Sequence, residues 1–349
     1  MAMKKKVTIQ DIADAVGYSK TTVSRYINGQ TNMMSAETAN RIKNVIELLD
    51  YHPSELARSL KTKKTYTVGV IVSDIASPFS SAVVAGTGEI LEMNGYVPLF
   101  INCHEDPAKE KIAISTLVSK GVDGLIVNTT SPDNDFLYGY QNQGIPIVLC
   151  DRKLRNYNMD IVGEDNEEII SVLVHHLKEQ GYTRIALMTQ ENLQSSAKNI
   201  RKSSFLRIMD EEFGYDAHAD VFLTRDETVS SVSECVKAFM KTVKKGEIPA
   251  VIGANSVMTM LAFRAIKNLG YRMPDEIGLC GTNSWSWNES TIWMDMLRPT
   301  VSCVMIRGYE IGQKCAARIL EKIEEPSGEV KTIWVNTDFV PRESTLRKK

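Results

Sequence analysis

Val7-Thr8-Ile9-Gln10-Asp11-Ile12-Ala13-Asp14-Ala15-Val16-Gly17-Tyr18-Ser19-Lys20-Thr21-Thr22-Val23-Ser24-Arg25-Tyr26-Ile27-Asn28 holds two helix starts and one helix stop in a single short run. Thr8 stands three residues before Asp11, so hydroxyl and carboxylate can each satisfy a free amide at the start of a helix near Ile9. Ile12, Ala13 and Val16, three and four apart, form an apolar face, and Gly17 permits the left-handed conformation that ends the helix. Ser19 can cap a second helix whose Val23 and Ile27 point inward, leaving Lys20, Thr21, Thr22, Ser24 and Arg25 for solvent or a partner. Short hydroxyls and cations suit the base edges and phosphates of a DNA major groove. A third helix, capped by Ser35, carries the stripe Ile42, Val45, Ile46 and Leu49. On pattern alone these three helices fit either a helix-turn-helix reader or another small helical bundle.

Charge is unevenly spread along the chain. Residues 1–64 hold 11 Lys and Arg against 6 Asp and Glu, net +5, whereas the remainder of the 349-residue chain is net −7. A basic head on an acidic body fits a nucleic-acid contact confined to the head. The basic start Lys4-Lys5-Lys6 leads into polar sequence, and no apolar run of about 18 residues follows. No membrane partner and a cytoplasmic location are expected. Cys103, Cys150, Cys235, Cys280, Cys303 and Cys315 are scattered, without a C-x-x-C pair, and read as reduced core residues.

The run quoted above closely resembles the DNA reader of the lactose/galactose repressor (LacI/GalR) family, and the resemblance extends to within a few residues of both ends of the chain. It implies that Lys20, Thr21 and Arg25 face base edges of double-stranded operator DNA, with Arg25 able to pair bidentately with guanine. Thr8, Ser24 and Asn28 would contact phosphates and fix the register. Family members usually carry a bulky residue where Lys20 stands, so the operator cannot be copied from them. The segment from Tyr51 to Lys61 begins with Pro53 and Ser54, a stop and a cap, and then spans barely two helical turns, too short to be stable alone. By the resemblance it is a hinge that folds on DNA in a homodimer, with Leu60 wedged into the minor groove and Ala57 beside it. An ordinary linker is the other reading, favoured by Lys61-Thr62-Lys63-Lys64-Thr65.

Beyond Thr67, β-branched runs alternate with helical stretches, the mark of parallel α/β units. Strands are predicted at residues 68–72, 97–101, 124–128, 147–150, 184–188, 250–254, 277–280 and 332–335. The break at residues 160–166 suggests two doubly wound lobes of the periplasmic-binding-protein type. The expected division is a helix-turn-helix domain at 1–52, a hinge at 53–65 and a sensor at 66–349. Within the sensor, an N-lobe of 66–162 plus 294–325 and a C-lobe of 163–293 plus 326–349 are expected.

Ligands of such folds lie beyond the carboxyl ends of the strands, here between the lobes. The loops in question are 73–79, 128–130, 151–152, 190–201, 255 and 281–287. The resemblance assigns effector contacts to Ser77, Phe79, Asn128, Asp151, Arg201, Asn255, Asn283 and Trp285, with Arg201 gripping effector oxygens. Gly281-Thr282-Asn283-Ser284 replaces the family's commoner Gly-Phe-Asp-Asp, removing two anions and favouring an oxidised or anionic sugar. Trp285-Ser286-Trp287 and the longer loop with Met33-Met34 resemble the subgroup that regulates 2-keto-3-deoxygluconate use, although that subgroup's acidic pair is missing and the tryptophans could simply cover a core edge.

Other motifs read as structure. Gly86-Thr87-Gly88 sits in a helical stretch rather than after a strand, and His175-His176 lack the spacing of zinc ligands on one helix face. No cofactor, metal or catalytic constellation is implied. The expected function is a repressor of carbohydrate-use genes released from a near-palindromic operator by a sugar or sugar acid. The rivals are a relative using a protein or sugar-phosphate corepressor, a sugar-binding transport protein, and an enzyme on the same fold; the DNA reader argues against the last two.

Overall fold

A computed structural model describes residues 7–51, 64–191, 194–284 and 293–347. Ala57, Leu60 and Trp285 lie outside the described residues. The chain divides into two compact units, Met1–Thr65 and Tyr66–Lys349.

The first unit is built by its caps. Helix α1 (Ile9–Val16) starts where Thr8 Oγ1 accepts the amide of Asp11 at 3.3 Å while the Thr8 amide donates to Asp11 Oδ2 at 2.7 Å. It stops at Gly17, whose φ of 73° is left-handed. Helix α2 (Lys20–Ile27) is capped by Ser19, which accepts from the Thr22 amide at 3.2 Å. Helix α3 (Ala36–Leu48) is capped by Ser35 in the same way, at 3.1 Å. Ile12, Ala13, Val16, Val23 and Ile42 form the buried centre, with Val45, Ile46 and Leu49 packed around it.

The second unit contains two six-stranded sheets. The N-lobe sheet runs β11 (Thr332–Trp334), β5 (Ile161–Gly163), β4 (Ile147–Cys150), β3 (Gly124–Val127), β1 (Thr67–Val72), β2 (Val97–Asn102), all parallel. The C-lobe sheet runs β12 (Asp338–Val340), β10 (Ser302–Met305), β9 (Gly278–Asn283), β8 (Pro249–Gly253), β6 (Arg184–Gln190), β7 (Val221–Thr224), with only β12 antiparallel. Helices α4 (Pro78–Met93), α5 (Pro107–Ser119), α6 (Asp135–Asn142) and α12 (Gly308–Glu324) belong to the N-lobe segments. Helices α7 (Asn166–Glu179), α8 (Ser196–Ile208), α9 (Val229–Thr242), α10 (Ser256–Asn268) and the short α11 (Trp293–Met296) belong to the C-lobe segments.

This topology corrects the expected lobe boundaries. Residues 294–306 are not N-lobe, because β10 pairs with β9, and residues 332–334 are not C-lobe, because β11 pairs with β5. The chain therefore crosses between lobes at 163–166, at 305–308 and again at 334–338.

Gly86 and Gly312 bring α4 and α12 together. A Cβ on Gly86 would fall 2.0 Å from the carbonyl oxygen of Tyr309, and one on Gly312 would fall 2.2 Å from that of Val83. The Gly86-Thr87-Gly88 run is thus a helix-packing surface in which the Thr87 hydroxyl donates to the Gly312 carbonyl at 3.2 Å. The two histidines also part company: His176 is buried on Thr345 at 2.7 Å, while His175 reaches Glu212 at 2.6 Å on the surface. Five of the six cysteines are buried and Cys235 is partly so; all are free thiols.

Candidate functional site

The head presents Lys20, Thr21 and Arg25 exposed on α2, with Thr21 and Arg25 one turn apart. Val23 on the same helix is fully buried, so packing fixes the orientation of this face. Asn28 Nδ2 donates to the Ser24 carbonyl at 2.6 Å and lies 3.2 Å from its hydroxyl, which ties these two phosphate candidates into one patch. The Thr8 hydroxyl is engaged with Asp11, as helix cap and as a 2.7 Å donor to the carboxylate.

In the sensor, a cavity of about 390 Å³ lies between the carboxyl ends of the two sheets. That falls in the range of about 300–1,000 Å³ usual for small-ligand sites. It is lined by Ser77, Phe79, Asn128, Asp151, Arg201 and Asn255, six of the eight expected effector residues.

Each is held by its own neighbours. Asn128, at the end of β3, is 3% exposed, accepts from Ser73 Oγ at 2.7 Å and donates to the Cys150 carbonyl at 2.8 Å. Asn255 caps α10 through a 2.9 Å bond from the Met258 amide and donates to Gln190 Oε1 at 2.5 Å. Arg201, 8% exposed, donates from Nε to Asn166 Oδ1 at 2.7 Å and from Nη1 to the Ala254 carbonyl at 2.6 Å. Its Nη2 has no bonded partner among the described residues and remains available to a ligand. Phe79 packs against cores of both lobes and offers the cavity an aromatic face.

Asp151 adopts a left-handed φ of 63°, a costly conformation outside glycine. A side chain at Gly163 would come within 3.0 Å of the Asp151 Cα, so the glycine there admits this turn. Burial raises the pKa of Asp151, with Arg201 and Arg152 opposing. Behind it, in the first crossing, Glu164 is completely buried. One of its oxygens accepts the Arg307 amide of the second crossing at 2.9 Å, and the other has no partner among the described residues. Burial pushes its pKa up to about 8, against the pull of Arg201 and with the help of Asp151.

Asn283 does not join the cavity. It is 1% exposed, accepting from Trp293 Nε1 at 2.7 Å and directed to the Met305 sulfur at 3.7 Å, while its neighbour Ser284 lines the cavity instead. Asn283 ends β9 and Ser284 is the residue just beyond it, so the next side chain points to the other side.

Several lining residues had no effector contact assigned from the sequence, although Arg152, Gln190 and Lys198 lie in loops it named. Arg152 holds Glu105 through two bonds of 2.7 and 2.9 Å, and donates to the Thr129 carbonyl at 3.0 Å. Arg225 pairs with Glu191 at 2.6 Å on the rim, and Gln190 donates to Glu227 at 2.7 Å. Lys198 lies one turn before Arg201 on α8. Glu105 follows a strand that the sequence did reveal, so the rule that ligands meet strand ends could have found it; Arg225 and Glu227 follow β7, which it did not reveal. The lobes also touch beside the cavity, where the Lys153 amide donates to Ser196 Oγ at 2.8 Å and Ser131 Oγ to Gln194 Oε1 at 3.1 Å.

A DNA-reading head and a two-lobed body with a polar interlobe cavity define a ligand-responsive transcription regulator. Residues 8–54 match the family described as "Bacterial regulatory proteins, lacI family", and residues 65–342 match "Periplasmic binding proteins and sugar binding domain of LacI family". The chain is 31% identical over 350 residues to the HTH-type transcriptional regulator KdgR of Bacillus subtilis, covering 98% of this chain and 100% of that one. It is 30% identical over 340 residues to the HTH-type transcriptional regulator PtxS of Pseudomonas aeruginosa, covering 97% and 96%. The lac repressor dimer bound to operator and an anti-inducer has the same fold, with a TM-score of 0.83 at 22% identity, covering 98% and 100% of the two chains. The chain belongs to the LacI family and is a sequence-specific DNA-binding transcriptional regulator. Among the described residues no helix is long and apolar enough to cross a membrane.

Proposed function

We propose that this regulator is a repressor of carbohydrate-use genes, held on a near-palindromic operator as a homodimer and released when a sugar or sugar acid occupies the interlobe cavity. The lining of that cavity carries the reading: hydroxyls of Ser73 and Ser77, amides of Asn128, Gln190 and Asn255, charges of Asp151 and Arg201, and the ring of Phe79. Such a set hydrogen-bonds the hydroxyls of a polyol and stacks on its C–H face. The regulator acts without catalysis, in the cytoplasm, where its operator is.

Dimerisation is supported by the sheet edges. Strands β2 and β7 are unpaired edges, and Val97, Phe100 and Leu223 on them are 54%, 41% and 42% exposed. The free N–H and C=O groups and exposed apolar side chains of such an edge can be covered by a second chain. Ligand-driven movement of the lobes would reach the DNA through residues 53–65, where Leu60 and Ala57 are the proposed minor-groove contacts.

Thermal-shift screening of the full chain against neutral sugars, sugar acids and sugar phosphates tests the effector reading. A true effector at one hundred times its Kd stabilises the folded state by about 2.7 kcal/mol and should release operator DNA in a mobility-shift assay. A response confined to sugar phosphates, or tighter DNA binding with ligand, would replace induction with corepression. On the DNA side, Arg25→Ala should weaken operator binding by roughly 1–3 kcal/mol and relax preference at one base position. Unchanged selectivity in a base-substituted operator series would remove Arg25 from the readout.

A further inference from the structure

We infer that Lys198 selects an anionic ligand for the interlobe cavity, pairing with the carboxylate of a sugar acid. The inference rests on the cavity being the effector site and goes further by naming the group that distinguishes an acid from its neutral parent.

Among the described residues, four cations line the cavity: Arg152, Lys198, Arg201 and Arg225. Arg152 is satisfied by the paired bonds to Glu105, and Arg225 by Glu191. Arg201 is anchored on Asn166 and Ala254 and faces the carboxyls of Asp151 and Glu164. The Lys198 ammonium is different: among the described residues it has no hydrogen bond or ion pair, although it is partly buried in the cavity wall. Its surroundings disfavour its charge, since burial and the nearby guanidinium of Arg152 pull its pKa down, with Glu105 and Glu227 only partly offsetting them. Withdrawing a charge from water without a bonded partner carries a cost that an anionic ligand would relieve.

Position adds direction. Lys198 stands in the first turn of α8, capped by Ser195, and Ser195 and Ala197 line the same cavity. The positive end of the helix dipole therefore acts at the wall that carries the ammonium. Arg201, one turn further along, presents its open Nη2 to the same space. A carboxylate lying between them would receive an ammonium and a guanidinium donor, while hydroxyls further along the ligand met Asn128, Gln190 and Asn255.

The test compares each acid with its neutral parent, D-gluconate with D-glucose and D-galacturonate with D-galactose among a wider set, by thermal shift and calorimetry on the full chain. In the wild type, at least one acid should raise the melting temperature and its parent should not. Lys198→Met should weaken that acid by at least about tenfold without lowering the unliganded melting temperature, because an uncompensated charge is removed. Lys198→Arg should restore a large part of the affinity, which a packing role would not do. Undiminished acid binding by Lys198→Met would overturn the assignment while leaving the cavity as the effector site. Equal binding of acids and parents by the wild type would do the same. Stabilisation by no acid at all would also overturn it, and silence from neutral sugars as well would count against the effector reading itself.

Discussion

Arg201→Ala should abolish ligand-induced stabilisation of the sensor and cost the unliganded protein several kcal/mol. The guanidinium is both a ligand group and a structural tie, because its Nε holds Asn166 at the start of α7 and its Nη1 holds Ala254 after β8. Removing it leaves those two acceptors without a donor, takes from Glu164 the cation that favours its ionised form, and leaves Asp151 only Arg152 and Lys198. Losing one partner from a buried charged network costs roughly 3–5 kcal/mol. Urea unfolding measures the stability loss, and a melting series with the effector measures the response. Arg201→Lys keeps the charge but not the fork, so it should recover part of the stability and little of the ligand response. A wild-type urea midpoint and a full ligand shift in the alanine variant would remove Arg201 from both roles.

The second large effect concerns pH. Glu164 in the folded protein holds its proton up to about pH 8, whereas an unperturbed glutamate gives it up near 4.5. Between those values the folded state binds more protons than the unfolded chain, so this residue's contribution is fullest below the lower value and declines as pH rises through the upper one. The decline is at most about 1.4 kcal/mol per pH unit. Glu164→Gln, which can still accept the Arg307 amide, should flatten this part of the profile and raise the melting temperature most at pH 8. Superimposable pH profiles for the two proteins between pH 5 and 8.5 would show that Glu164 does not titrate as its burial requires.

The head was legible in the sequence because its determinants are local. Thr8, Asp11, Gly17, Ser19 and Ser35 each act within one helical turn, and the apolar spacing that buries Ile12, Val16, Val23 and Ile42 is a helix period. Strands with four or more apolar residues were also legible. β11 was read despite its three residues, but β5 and β12, equally short, were not, and neither were β7 and β10, whose four-residue runs sit beside polar or helical stretches. Lobe membership was the least legible feature, since the pairing of β10 with β9 and of β11 with β5 is fixed by contacts distant in sequence.

For the cavity, reading the strand ends together with the family resemblance led to Ser77, Phe79, Asn128, Asp151, Arg201 and Asn255, all of which the fold brings together. Asn283 failed by one residue, and a shift of one along a strand reverses the face. Lys198 lay within a loop already singled out; only the lack of any bonded partner on its ammonium among the described residues, beside Arg152 and Arg225 in their ion pairs, made it conspicuous.

The three crossings between lobes also bear on synthesis at the ribosome. The head is contiguous and can be complete after the first fifty or so residues have emerged. Neither lobe of the sensor can close so early, because β11 finishes one sheet and β12 the other, within a few residues of each other near the carboxyl end. Until those last residues leave the ribosome, the nascent chain carries a finished reader on two unfinished lobes. A premature stop codon before Thr332 would leave a chain in that state, equipped to meet DNA and unable to be told to let go.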